Sequence, residues 1–382
     1  MKKKSLLILS YILVAALASM ITMGLTYEPE TVSKLDQLEA LIQERFIGEV
    51  DAVAMEDAAA KSMIASLGDR WSYYIPESEY AAHVESMENA YVGIGITITV
   101  AENWSGLEVM VVNEGSPAEE AGIQVGDIIT AVEGQPTAEM STTDARNLVR
   151  GKEGTYVELT VSRAGQEMIL SVERRTVQVP VAEGEMLEGN VGLVTIENFD
   201  ARCAAETISA IETLLEQGAE KLIFDVRNNP GGYADELVDV LDYLLPEGEL
   251  FRTVDYAGRE NVDTSDASCL EIPMAVLVNA DSYSAAEFFA AALSEYEAAI
   301  VVGEHTSGKG YFQNTFELND GSAVGLSVGK YYTPKGVSLE MVGITPDVEV
   351  SVDEETYYEI YYGTLEPAED PQIQAALDAL AG

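Results

Sequence analysis

The chain has 382 residues, and hydrophobic residues make up 47% of it, enough to bury the cores of two or three domains. Acidic residues number 66 against 21 basic ones, a formal net charge of −45 that repels phosphate backbones and anionic lipid headgroups and argues against a nucleic-acid partner. Two cysteines, Cys203 and Cys269, exclude a disulfide framework and a four-cysteine zinc site but leave open one disulfide or two thiols. Two histidines, His83 and His305, exclude any larger histidine-built metal centre.

Lys2, Lys3 and Lys4 precede 23 uncharged residues from Ser5 to Tyr27, long enough to span a bilayer. Ala16-Leu17-Ala18 resembles a signal cleavage site, but the apolar run continues past it to Leu25. The expectation is therefore an uncleaved single-pass anchor, lysines inside and everything after Glu28 outside. Residues 30–66 read as helices, with Leu35, Leu38, Leu41 and Ile42 at helical spacing. Gly68 and Pro76 break that pattern within "LGDRWSYYIPESEY". From Tyr91 short β-type runs follow one another, interrupted by one helical stretch, Thr142 to Val149, which predicts a small half-open barrel. From about residue 187 strands alternate with helices at Ala204 to Gln217, Ala234 to Leu245 and Ser284 to Ser294, predicting a mostly parallel α/β sheet. "PQIQAALDALAG" closes the chain as a short helix.

In the small module, "YVGIGI" sets Gly93 and Gly95 around Ile94, beside Ile96, just where a strand begins. Two such glycines let successive N–H groups point into one hollow, a nest for a carboxylate. Downstream, "SPAEEAGIQVGDII" carries Ser116, Pro117 and Ala118. Together these stretches resemble a PDZ domain over about residues 88–176. The resemblance implies that a peptide adds as a strand beside Ile94 to Thr97, with its terminal carboxylate on the nest and its last side chain in an apolar pocket at Ala145, Leu148 and Val149.

Gly303 to Lys309 fits the phosphate-loop pattern G-x-x-x-x-G-K, but Gly310 follows where Ser or Thr must hold Mg²⁺, and "YFQNTFEL" then reads as a strand. The lysine has another use. "MAVLVNADSYSAAEFFAAAL" runs strand, turn, helix, with Ser284 at the helix start, where the N–H of Ala285 and the helix dipole face whatever binds at the hydroxyl. An ordinary helix cap is the bland role for Ser282 or Ser284. A serine nucleophile needs a base, here His305 or a lysine whose pKa burial has lowered, and Lys309 between Gly308 and Gly310 has room for close approach. "FDVRNNPGGY" ends in a turn whose free amides can supply a second oxyanion donor.

These motifs, "VRNNPGGY", "NADSYSAAE", "GEHTSGKGYFQ", "KYYTPKGVS" and "GITPDVEV", appear in the order that is similar to the C-terminal processing (tail-specific) serine peptidases, over residues 30–380. In that family a lysine follows the serine by 25 positions, as Lys309 follows Ser284, and a glutamine four residues on orients it, a place Gln313 fills. The resemblance implies Ser284 as nucleophile, Lys309 as general base, and an oxyanion hole from Ala285 with Gly231 or Gly232, without metal, nucleotide or other cofactor. Tyr283 and His305 depart from the family pattern without removing a catalytic group. The implied fold is α/β: a crotonase-like peptidase core at 177–352, an inserted PDZ domain at 88–176, a helical segment at 28–87 and a C-terminal helical segment at 353–382. The implied partners are peptides and proteins with free apolar C-termini, acidic tails being repelled by the acidic body. The alternative is an inactive PDZ scaffold that only binds peptides.

Overall fold

A computed structural model describes residues 33–381 apart from 102–104, 114 and 139. The expected anchor, Ser5 to Tyr27, lies outside the described residues, and among those described no helix is long and apolar enough to cross a membrane. The chain divides into two compact units, residues 1–63 and 64–382. In the first, the helix Lys34–Arg45 begins at a capping box: Ser33 Oγ accepts from Asp36 N, and Asp36 accepts from Ser33 N. The helix Ala52–Ala65 follows, crossing the boundary between the units; with no acidic residue in its first turn and no basic one in its last, it rests on its alanine-rich propensity rather than on charges that complement its dipole.

The second unit is organised by a six-stranded sheet in the order Ala182–Leu187, Val191–Ile196, Lys221–Asp225, Met274–Val278, Ala299–Gly303 and Val348–Glu349. The first pair is antiparallel and all the others are parallel. Such strands are covered on both faces, so they read as unbroken apolar runs. Phe224, Val276 and Val278 point to the side covered by the helices Cys203–Glu216, Ala234–Leu244 and Ala285–Glu295. Ile223, Ala275 and Leu277 point to the other side, where Ile373 and Ala376 of the closing helix Pro371–Ala381 cover them. Arg227, buried beyond the end of one strand, pairs with Asp225 at 2.5 Å and with Asp370 at 2.8 Å, fastening that helix. Cys203 and Cys269 are free thiols.

A second sheet runs Tyr73–Ile75, Ala323–Tyr332, Gly248–Asp255, Glu260–Ser265, with Tyr311–Glu317 also paired to Ala323–Tyr332. The stretch read as a mere break therefore holds a strand, Tyr73–Ile75, and then the helix Glu77–Met87. The small β module contains Ile96–Val100, Leu107–Val112, Ile128–Val132, Tyr156–Arg163 and Gln166–Glu173, with the helix Thr142–Val149 against them. Its entry and exit pair with each other as the ribbon Ala90–Gly93 with Arg175–Gln178.

Candidate active site and peptide groove

The strand Met274–Val278 is buried along its whole length and ends in a turn that its own polar groups hold. Ser282 Oγ donates to Val226 O at 2.7 Å and accepts from Asn279 N at 3.0 Å, while Asn279 Oδ1 accepts from Asn228 N. This makes Ser282 the structural serine of the turn. Ser284 is the residue that caps the start of the helix Ala285–Glu295, with φ 58° and ψ −125°. A non-glycine residue in that region costs about 1–3 kcal/mol, and the surrounding turn must hold it there. The Tyr331 hydroxyl faces the Ser284 side chain in the same cleft. Tyr331 is itself locked among the rings of Phe251, Phe288 and Phe312.

Glu287, one helical turn after Ser284, is wholly buried. It accepts from Ser284 N at 3.0 Å, Thr306 Oγ1 at 2.5 Å, Gly308 N at 2.8 Å and Lys309 N at 2.8 Å. Burial raises its pKa, and those four donors pull it back. One carboxylate thus joins the serine turn to the lysine loop. Its sequence signal was the capping-box spacing Ser284-Ala285-Ala286-Glu287.

Lys309 lies in a loop packed too closely for side chains on its neighbours: a Cβ on Gly310 would sit 2.4 Å from Glu340 N, and one on Gly308 3.0 Å from Val342 N. No helix follows, only the strand Tyr311–Glu317, as the dismissal of a phosphate loop requires. Lys309 Nζ lies 5.1 Å from the Trp71 ring centre and 5.6 Å from that of Tyr283. Burial between those rings pushes the ammonium below its usual pKa, against the pull of Asp69, Glu287 and Glu340. Asp69 accepts from the backbone of Trp71 and Ser72, and Glu340 accepts from Trp71 Nε1 and Gly310 N. Sequence reasoning missed this wall because residues 69–73 carry no motif of their own.

Ser284, Lys309, Gln313, Gly231, Gly232 and Tyr331 line one cleft of about 730 Å³. Gln313 Nε2 donates to Tyr311 O and Ser327 Oγ, both at 3.0 Å. His305 is exposed, its Nδ1 2.9 Å from Thr306 O, and it is not a lining residue; His83, which sequence reasoning passed over, is. The two glycines of the turn touch the serine directly. A Cβ on Gly231 would meet Ser284 Cβ at 2.7 Å and Ala285 N at 2.8 Å, and one on Gly232 would meet the Phe199 carbonyl carbon at 2.3 Å. Gly231 N donates to Asn229 Oδ1 at 2.8 Å.

In the β module a groove of about 310 Å³ runs along Gly93, Ile94, Gly95 and Ile96 on one side and the helix Thr142–Val149 on the other. The two sequence motifs meet there: Ala118 N donates to Ile94 O at 2.9 Å, and Gly95, with φ +80°, packs on Ser116. Of the three helix residues expected at the groove, Val149 lines it and Ala145 and Leu148 do not. Ala145 is fully buried in the module core and Leu148 packs on that core, whereas Thr142, Arg146, Val149 and Arg150 line the groove. The reason is register: positions 142, 146, 149 and 150 share one face, and 145 and 148 lie on the next. The groove wall is also not acidic. Its charged lining residues are Arg146 and Arg150, the latter 3.8 Å from Glu85, so the charge nearest a bound tail is not the net acidity of the body from which repulsion of acidic tails was expected.

The description Peptidase family S41 matches residues 190–350, and the description PDZ domain matches residues 108–163. The carboxy-terminal processing protease CtpA of Bacillus subtilis is 32% identical over 369 residues, covering 92% of this chain and 78% of that protein. A carboxyl-terminal-processing protease of Synechocystis sp. is 34% identical over 331 residues, covering 85% and 76%. Among solved structures, a putative S41 protease from Bacteroides fragilis superposes with a TM-score of 0.55 at 20% identity, over 88% of this chain and 92% of that one, a likeness of fold. With relatives of that identity spanning most of its length, and the family match falling on the segment that holds both Ser284 and Lys309, the chain belongs to peptidase family S41, a serine-type peptidase carrying a PDZ domain.

Proposed function

We propose that this peptidase engages unstructured chains by their free C-termini and cuts them with a Ser284–Lys309 pair. The observation that carries the reading is one cleft holding both a serine on a strained turn and a lysine whose charge burial disfavours. Neutral Lys309 takes the Ser284 proton as Oγ attacks a peptide carbonyl carbon. The oxyanion is held by backbone amides, those of Ala285 and Gly232, since the Gly231 N–H already serves Asn229. The ammonium then returns the proton to the leaving amine, and water, activated by the same lysine, releases the acyl group and restores Ser284. Gln313 orients Lys309 from the strand beside it, and Tyr331 aims the Ser284 hydroxyl.

The groove supports the recognition step: a tail adds as a strand beside Ile94 and Ile96, its carboxylate on the amides around Gly93 and Gly95. The sheet and helix order supports a crotonase-like core at 177–352, the inserted domain at 88–176, and helical segments at 28–87 and 353–382. The lysine-flanked apolar run near the N-terminus supports a membrane anchor with the peptidase outside the cytoplasm.

The test is cleavage of one peptide in its free-acid and C-terminally amidated forms by wild type, Ser284→Ala, Lys309→Ala and His305→Ala. Only wild type and His305→Ala should cut, and amidation should lower kcat/KM several-fold. Activity in Lys309→Ala with none in His305→Ala would transfer the base to the histidine, and equal turnover of the two peptide forms would remove the carboxylate nest.

A further inference from the structure

One lining residue of the catalytic cleft has no task in that chemistry. Asp200 is 8% exposed, and its Oδ1 is buried without a hydrogen-bond partner. Its backbone fixes it beside the reacting centre: the preceding residue, Phe199, donates to Gly231 O at 2.8 Å and accepts from Tyr233 N at 2.8 Å. Asp200 N is held by Asn198 Oδ1, and Asp200 O accepts from Cys203 N, so the carboxylate cannot swing away with a loose loop.

No cation of the protein meets this carboxylate within ion-pair distance among the described residues. Arg202, two positions on, lies 3.2 Å from Glu206 and donates through Nη2 alone to the carbonyls of Asn89 and Val179, while its Nε and Nη1 are buried without a hydrogen-bond partner and outside ion-pair distance of Asp200. The acidic neighbour Glu236 is occupied by the N–H groups of Arg202 and Ala204. Among the described lining residues Asp200 is the only carboxylate, in a wall otherwise of tyrosines, His83, Met87 and Val84. A buried carboxylate oxygen left without a donor is costly, and a folded protein keeps one where an incoming group completes it. The group that completes it must be cationic, long enough to reach past a tyrosine-lined wall, and part of the substrate.

We propose that Asp200 is a specificity-determining residue: it takes the ammonium or guanidinium of a substrate lysine or arginine lying within a few residues of the bond that is cut. The assignment rests on Ser284 chemistry in this cleft and adds to it a preference that the tail groove does not supply. Burial and the nearby Glu236 push Asp200 up to about 7, so the carboxylate is charged in mildly alkaline buffer, where the pairing is strongest. Around it the elements also carry Arg202, Cys203, Glu206, Tyr233 and Glu236, and the cleft adds His83, Lys309, Tyr73, Tyr80, Tyr283 and Tyr331.

The experiment uses full-length enzyme near pH 8 and peptides that share one apolar tail. They differ by Lys, Gln or Glu placed in turn at each position flanking the scissile bond. The readout is the ratio of kcat/KM for Lys over Gln within each enzyme, which a general loss of activity does not move. Wild type should favour Lys by about tenfold at one position, Asp200→Asn should bring that ratio to about one, and Asp200→Glu should keep its sign. A ratio near one at every position in wild type, or a preference that survives in Asp200→Asn, overturns the assignment. Tight binding of the same peptides to Ser284→Ala gives a second readout that needs no turnover. Equal affinity for Lys and Gln peptides there, with wild-type cleavage intact, sinks Asp200 alone. Cleavage that persists in Ser284→Ala sinks the catalytic reading instead, and the binding ratio still decides on Asp200.

Discussion

On the proposed Ser284–Lys309 chemistry, Lys309 sets the pH at which the enzyme works. Its ammonium is disfavoured by burial between Trp71 and Tyr283, so the neutral base is populated below the ordinary lysine range. Because the base form is the active one, kcat/KM should rise with pH and level off above an apparent pKa lower than that of free lysine; a profile flat from acid to alkali contradicts a lysine base. Trp71→Ala, which opens the wall to water, should move that pKa upward. Tyr331→Phe removes the hydroxyl that faces Ser284 in the cleft and should lower kcat about tenfold or more with little change in KM, since no tail contact is touched. Asp200 makes a stability prediction of opposite kind. Its folded pKa of about 7 lies above the unfolded value of 3.8, so as pH rises between them the unfolded chain loses its proton first and stability falls. The deficit is complete above about 7 and is on the order of 4 kcal/mol at most. Asp200→Asn should therefore raise Tm near pH 8 and change it little near pH 4; equal shifts at both would show that charge burial is not the cause. Ser284 and Lys309 were legible in the sequence because each sits in a local motif with glycines or a helix start beside it. Asp200 and Tyr331 were not, because each reaches the cleft through contacts with Gly231, Tyr233 or Ser284, residues distant in the chain.

At the scale of elements, the groove shows how far periodicity carries. The helix Thr142–Val149 has the bounds its polar and apolar alternation predicts, yet which face meets the groove depends on how it is rolled against the sheet, and sequence does not contain that angle. The consequence is chemical: Arg146 and Val149, not Ala145 and Leu148, look at a bound tail. Arg146→Glu should weaken binding of peptides ending in an acidic residue at least several-fold more than peptides ending in Ala, measured by fluorescence anisotropy on Ser284→Ala enzyme; equal loss for both tails would mean the arginine serves only the fold. The parallel strands were legible for the reason that makes them central: covered on both faces, they are apolar without interruption. The strand Tyr73–Ile75 was not, since three residues carry no period and their partner, Ala323–Tyr332, lies some 250 positions away.

At the scale of the whole molecule, a net charge of −45 makes the folded state repel itself. Raising ionic strength from low to physiological should raise Tm by several degrees, as screening shortens the reach of that repulsion; a Tm that falls or stays level would mean that ion pairs dominate. Within this repelling body Glu287 binds two halves of a reaction into one object. The serine turn and the lysine loop come from different strands of the central sheet, and the carboxylate that joins them is reachable only once both strands are in place. On the proposed chemistry, an unfolded or partly folded chain has the serine and the lysine but not their alignment. The clasp ties the onset of cutting to the completion of the fold, since Glu287 holds the backbone of both residues.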